Sequence, residues 1–284
     1  MPLTASIAAG FAIVSTVALV AALWFDRLFE APTAAYVPSL VQHLGSRSIL
    51  AVFAHPDDET LAAGVLADAG SREGIDVRTI TLTRGENGQS APSLSRREDL
   101  PLVRESELRR YGFALGIDHQ ELWKYPDGEL DGVSREVVDR LVERIRTWKP
   151  DFVLTFDPAG GYNWHRDHRA AGTLATEAVR VSADPVYRPE FNPAHRTKQM
   201  GYLIAPARAL SIFGGPGGRA VAEVQPKPNL SVPVASSLRI LGWRTHASQR
   251  LDKAYPLPGW LLFDFWDKEH YFVFEPGLRS NQSN

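Results

Sequence analysis

The chain has 284 residues, 44% hydrophobic and 23% charged, with a formal net charge of −2 at pH 7 and no cysteine. That is the composition of a globular protein, and its near-neutral charge gives no reason to expect a nucleic acid as partner. The absence of cysteine excludes disulfides, thiolate metal sites and cysteine nucleophiles, so any metal must be held by His, Asp or Glu.

Residues 5–25 carry no charge and are long enough to span a bilayer as a helix. A cleaved signal peptide competes with that reading, but Met1 to Thr4 hold no Lys or Arg. Asp26, Arg27, Phe29 and Glu30 also follow directly, where small residues would mark a cleavage site. The expectation is an N-terminal transmembrane helix within residues 1–30, with membrane association through residues 5–25. Arg27, on its carboxyl side, favours a cytoplasmic catalytic domain. Pro32 and Pro38 then mark a linker over residues 31–46.

From residue 47 to 284 the pattern is that of one α/β domain. Ile49 to Ala54 is apolar without alternation, which suits a parallel strand covered on both faces. Pro56 ends it, and His55, Asp57, Asp58 and Glu59 cluster at its carboxyl end. A helix is expected from Thr60 to Gly74, a strand over residues 76–83, a charged helix over 97–116 and a short strand over 121–125. A helix over 133–148 and a buried strand over 151–156 follow. The next cluster is Tyr162, Asn163, Trp164, His165, Arg166, Asp167 and His168, with a helix from about Arg169 to Val179. The alternating order implies a mostly parallel sheet with right-handed crossovers, which places both clusters on the same edge. A further strand is expected at residues 200–206. Residues 212–237, rich in Gly and Pro, are expected as a long loop and residues 238–251 as a helix.

Three acids and a histidine packed together call for a cation. His55 and Asp58 lie three apart on one turn and can reach one ion, with His168 closing the shell from the second cluster. Two histidines and one aspartate with an open position suit a catalytic Zn2+, although such a set also accepts Fe2+ and other divalent ions. Asp57 is left to act as base on a metal-bound water, and His165, as a histidinium, to stabilise an oxyanion and protonate a leaving amine. Such a site hydrolyses an amide or ester. Arg84 and Glu86, at a strand end, could hold sugar hydroxyls or form a surface ion pair.

The segment Ala54-His55-Pro56-Asp57-Asp58-Glu59, with His165-Arg166-Asp167-His168 about a hundred residues later, resembles the LmbE-like, or PIG-L, N-acetylglucosaminyl deacetylases. Supporting stretches are Thr83 to Glu86, Arg104 to Leu108, Tyr125 to Gly128, and His246-Ala247-Ser248-Gln249. The resemblance implies a Rossmann-like α/β sandwich and zinc-dependent deacetylation of an N-acetylglucosamine-type sugar. It implies His55, Asp58 and His168 as metal ligands, Asp57 as base and His165 as the group handling the oxyanion. It also adds Asp127 to the substrate contacts and suggests that Tyr162 or Trp164 replaces a mobile tyrosine of relatives. Arg166 stands where a proline is usual. Glu59 is left to orient a ligand or cap the next helix.

With a membrane tether, a lipid-linked glycan is the substrate to expect. Two other readings compete. One is an amidase cleaving another amide of a sugar or thiol conjugate. The other is a non-catalytic, membrane-anchored glycan-binding protein, which predicts loss of the base or of a ligand. A nucleotide-binding protein would carry a Gly-rich loop where His55-Pro56-Asp57-Asp58 stands.

Overall fold

The computed structural model describes residues 2–89, 94–250 and 257–277, with side chains in the first helix from residue 13 onward. Its centre is strand β2 (Ser48–Phe53), the unbroken apolar run of the sequence. Leu50 to Ala54 are completely shielded from water. Burial on both faces explains why the run does not alternate. β3 (Asp76–Thr83) and β5 (Phe152–Phe156) flank it, both parallel to it. β4 (His119–Tyr125) lies outside β3, and β6 (Gln199–Ile204) outside β5. From first strand to last, the parallel core has the 3-2-1-4-5 order of a Rossmann-like fold. β8 (Lys268–Phe274) joins antiparallel to β6, and β7 (Leu230–Pro233) antiparallel to β8.

Helices α3 (Ala63–Gly70), α4 (Leu100–Ala114), α5 (Ser134–Trp148) and α7 (Arg166–Ser182) are the crossovers. α5 turns Val137, Val138, Leu141, Val142 and Ile145 into the core, the face expected from their spacing. The mixed α/β fold with a mostly parallel sheet agrees with the sequence.

Three expectations need correction. The stretch 31–46 is bound to the sheet: β1 (Ala35–Tyr36) pairs with β7, and α2 (Leu40–Leu44) buries Leu40 and Val41. Residues 212–237 are not a loop. They complete α8 (Ala207–Phe213) and form α9 (Gly215–Val224), β7 and the start of α10 (Ser236–Thr245). A side chain at Gly214 would meet the Leu210 carbonyl oxygen and Gly218 Cα at 2.7 Å. The glycines therefore permit close helix packing where composition alone suggested a turn. The third correction concerns the membrane. The N-terminal segment is helical, α1 (Pro2–Asp26), and Ile13, Val14, Val17, Leu19, Val20, Leu23 and Trp24 are exposed along it. Among the described residues, no helix is long and apolar enough to cross a membrane, so the transmembrane anchor expected at residues 5–25 is not supported.

Candidate active site

β2 and β5 are neighbours in the sheet but far apart in sequence, and the crossovers leave them in opposite directions. The crevice at their carboxyl ends is the topological switch point, where open α/β sheets bind ligands. β2 ends in Ala54 and His55, and β5 leads through Asp157 to α6 (Gly161–Trp164) and α7. Both charged clusters of the sequence meet there.

Asp58 folds back onto its own strand. Its Oδ2 accepts from the Ala54 and His55 backbone N–H groups at 3.0 and 2.8 Å. Its two oxygens lie 3.6 Å from His55 Nδ1 and 3.1 Å from His168 Nε2. Burial opposes ionisation of Asp58, but His168 and His55 outweigh it and hold the carboxyl well below its ordinary range. His168 donates from Nδ1 to the Gly161 carbonyl at 3.0 Å and stacks on Phe156 at 4.0 Å between ring centroids. These contacts fix the ring and turn Nε2 toward Asp58.

His55 is surrounded by acids. Its Nε2 lies 3.0 Å from Asp127 Oδ1 and 3.3 Å from Asp167 Oδ2. Burial disfavours the His55 imidazolium, yet Asp127, Asp167 and Asp58 together raise its pKa well above the ordinary value. Burial likewise works against ionised Asp127 and Asp167, but His55 and backbone N–H groups outweigh it and lower both pKa values. Such a centre has more negative than positive groups and suits a cation. Donor atoms within 4.8 Å of one another come from His55, His165 and His168, and from His55, Asp127 and Asp167.

Asp57 has φ 111°, a backbone conformation uncommon outside glycine. It is over-determined by its neighbours: its N–H donates to Glu59 Oε2 at 3.0 Å, and its carbonyl accepts from Thr60 Oγ1 at 2.7 Å. Its carboxylate is 3.2 Å from Arg104 Nη2. Burial pushes the Asp57 pKa up to about 6, against the pull of Arg104. His165 is the N-cap of α7, where Nδ1 accepts from the Asp167 N–H at 3.2 Å. In the neutral ring the proton is then on Nε2. Burial, with His168 and His55 nearby, lowers the His165 pKa, so its surroundings disfavour the histidinium expected from the sequence.

The expected substrate contacts divide. Asp127 lines the polar cavity beside His55, but it engages His55 and the Asn87 N–H. Tyr162 is buried and lines a separate apolar cavity. Arg84, Glu86 and Trp164 are not among the side chains lining these spaces. Glu86 instead accepts from the Asp127 N–H at 3.0 Å, and Trp164 lies under the Arg169 guanidinium at 4.7 Å. Arg104, Asp167, His246 and Arg239 are neighbours of the site that the sequence reading gave no role. Arg104 donates to the carbonyls of Gly85 and Pro56 as well as pairing with Asp57. Only its place in a supporting motif could have drawn attention to it.

A Rossmann-like α/β fold with a His/Asp centre at its switch point defines the class of protein. The solved structure of N,N'-diacetylchitobiose deacetylase from Pyrococcus horikoshii shares this fold. Its TM-score is 0.67 at 24% identity, covering 84% of this chain and 87% of that one. Residues 50–179 match the PIG-L family, described as GlcNAc-PI de-N-acetylase. It is 32% identical over 174 residues to the 1D-myo-inositol 2-acetamido-2-deoxy-alpha-D-glucopyranoside deacetylase of Streptomyces avermitilis, covering 53% of this chain and 59% of the relative. It is 34% identical over 139 residues to a probable N-acetyl-alpha-D-glucosaminyl L-malate deacetylase 2 of Bacillus anthracis, covering 47% and 59%. The matched part thus spans about three fifths of these curated relatives.

Proposed function

We propose that this protein is a metal-dependent N-deacetylase acting on an N-acetylglucosamine-type sugar conjugate. The observation that carries the reading is the position of Asp57. It is a carboxylate with a raised pKa, adjacent in sequence to Asp58, which touches both His55 and His168. The two relatives named above are described as deacetylases of sugar conjugates of this kind.

His55, Asp58 and His168 would hold the ion. The oriented Nε2 of His168 and the surplus of carboxylates fit a divalent cation, zinc being the first choice for a His/His/Asp set. When bound, such an ion supplies Lewis-acid polarisation of the acetamide carbonyl and lowers the pKa of water. Asp57 takes the proton of the attacking water, and that proton is available to the departing amine. His165 presents its Nε2–H to the oxyanion that develops on the former carbonyl. Arg104 holds the Asp57 carboxylate in place.

The exposed apolar residues of α1 support membrane association of the N-terminal segment. Arg27, on the catalytic side of that segment, supports a cytoplasmic active site. Membrane fractionation of the full chain tests the first point, and recovery in the soluble fraction would refute it.

The test of the activity is acetate release from methyl 2-acetamido-2-deoxy-glucopyranoside by the zinc-loaded protein. Asp57→Ala should abolish release while zinc still binds. Full activity in that variant would overturn the assignment of the base.

A further inference from the structure

The cavities around the site change character with distance from it. A polar space of about 310 Å³ is lined by His55, Asp57, Asp58, His165 and His168. A second, of about 200 Å³, lies against Asp57, Asp58 and His168 and adds Arg239, Trp243 and Trp266. A third, of about 460 Å³, shares Leu61, Asn163 and Trp266 with the second and is otherwise almost wholly apolar. Its walls include Phe25 at the end of α1, Phe29 in the turn just after it, Ala209, Leu210 and Phe213 from α8, and Leu262 from α11 (Gly259–Phe265). Asn163 lines all three, so the polar and apolar spaces meet at this residue.

We propose that the third cavity seats an alkyl chain carried by the aglycone of the sugar substrate. The proposal rests on the deacetylase reading and names the chemistry of the group attached to the sugar. Among the described residues, no charged side chain lines the cavity. A peptide or a second sugar would bury N–H and O–H groups against walls with few acceptors, whereas an alkyl chain gains from every methylene removed from water. At one end the cavity borders the catalytic crevice across Leu61, Asn163 and Trp266, where an aglycone subsite belongs. At the other it is walled by the end of the helix with the exposed apolar row, so a chain drawn from a bilayer would meet the protein there. Most of these walls lie outside the matched residues 50–179, so the subsite belongs to this chain's own N- and C-terminal elements.

The test uses a dodecyl β-D-glucopyranoside with a diazirine at the end of its chain. It has no acetamide and binds whether or not the protein is a deacetylase. Irradiated with the zinc-loaded full chain, it should label peptides containing residues 25–29 and 205–214. Unlabelled alkyl glucosides should compete, and the concentration for half competition should rise about fourfold for each methylene removed, the equivalent of ~0.8 kcal/mol. Ala209→Trp fills the cavity and should flatten this dependence. Phe213→Ser, at the half-exposed rim, should weaken it without disturbing the core. Label elsewhere, or competition independent of chain length, would overturn the proposal. Acetate release from the methyl glycoside tests the deacetylase reading separately: label in the cavity with no acetate release would sink that reading and leave the apolar subsite standing.

Discussion

His246 Nε2 lies 2.7 Å from Glu59 Oε1, and both side chains are out of contact with water. Glu59 Oε2 accepts the Asp57 N–H. One carboxylate therefore joins a histidine 187 residues away to the strained backbone of Asp57, the proposed base. Loss of Glu59 leaves His246 buried without its partner, at a cost of about 3–5 kcal/mol. We expect Glu59→Gln, the milder change, to lower kcat on the order of tenfold with KM little changed. Steady-state kinetics and thermal unfolding measure the two effects, and an unaltered kcat in a folded variant would refute the positioning role.

The same pair predicts a pH dependence of stability. Burial lowers the His246 pKa, but Glu59 outweighs it and the net shift is upward. A raised histidine pKa stabilises the folded state fully below the unfolded value of about 6.5, and this contribution is lost as pH rises through the folded pKa. The Tm advantage of the wild type over His246→Gln should therefore be largest in mild acid and shrink in alkali. A gap that widened with pH would contradict the assignment.

Asp57 carries a conflict between activity and stability. Its folded pKa of about 6 lies above the ordinary carboxyl value, so keeping it ionised at neutral pH costs stability. In metal-free protein, Asp57→Asn should raise Tm at pH 8 by roughly 5–10 °C, on the order of 3 kcal/mol for a shift of about two units. The difference should fade as pH drops through 6 toward 4. Activity should fall about 10²–10⁴-fold. A variant that lost stability at pH 8 would show that Asp57 is better paired than this account allows.

Asp127 and Asp167 orient His55 without belonging to the expected ligand set. Partners of this kind are worth about 10–100-fold in metal affinity. We expect Asp127→Asn to weaken zinc binding by that factor, read by competition with a chelating dye. Removal of the metal by chelation should abolish acetate release, and added zinc should restore it.

Gly172 brings α7 onto the end of β5. A Cβ there would lie 2.4 Å from the Phe156 carbonyl oxygen, and Phe156 is the residue on which His168 stacks. Gly172→Ala should destabilise the fold by about 1–3 kcal/mol and reduce zinc affinity by displacing His168. Calorimetric unfolding with and without zinc would separate the effects, and an unchanged Tm would show that the helix can shift freely.

The sequence by itself determined the local elements that place the chemistry. The unbroken apolar run of β2 could only be a doubly covered strand, and proline after His55 put four polar groups at its end. Glycine misled the reading of residues 212–237, because its use for close helix packing and its use for turns look alike in sequence. Only the tertiary structure decided which residues share the site. The switch between β2 and β5 brings Asp58 to His168 and brings Asp167, from the same first turn of α7, to His55, while Asp127 reaches His55 from the loop after β4. Arg104 and His246 reach Asp57 and Glu59 from α4 and from the end of α10. Those pairings depend on the order of strands in the sheet. Periodicity along a chain records which face of an element is buried, but not which distant element covers it.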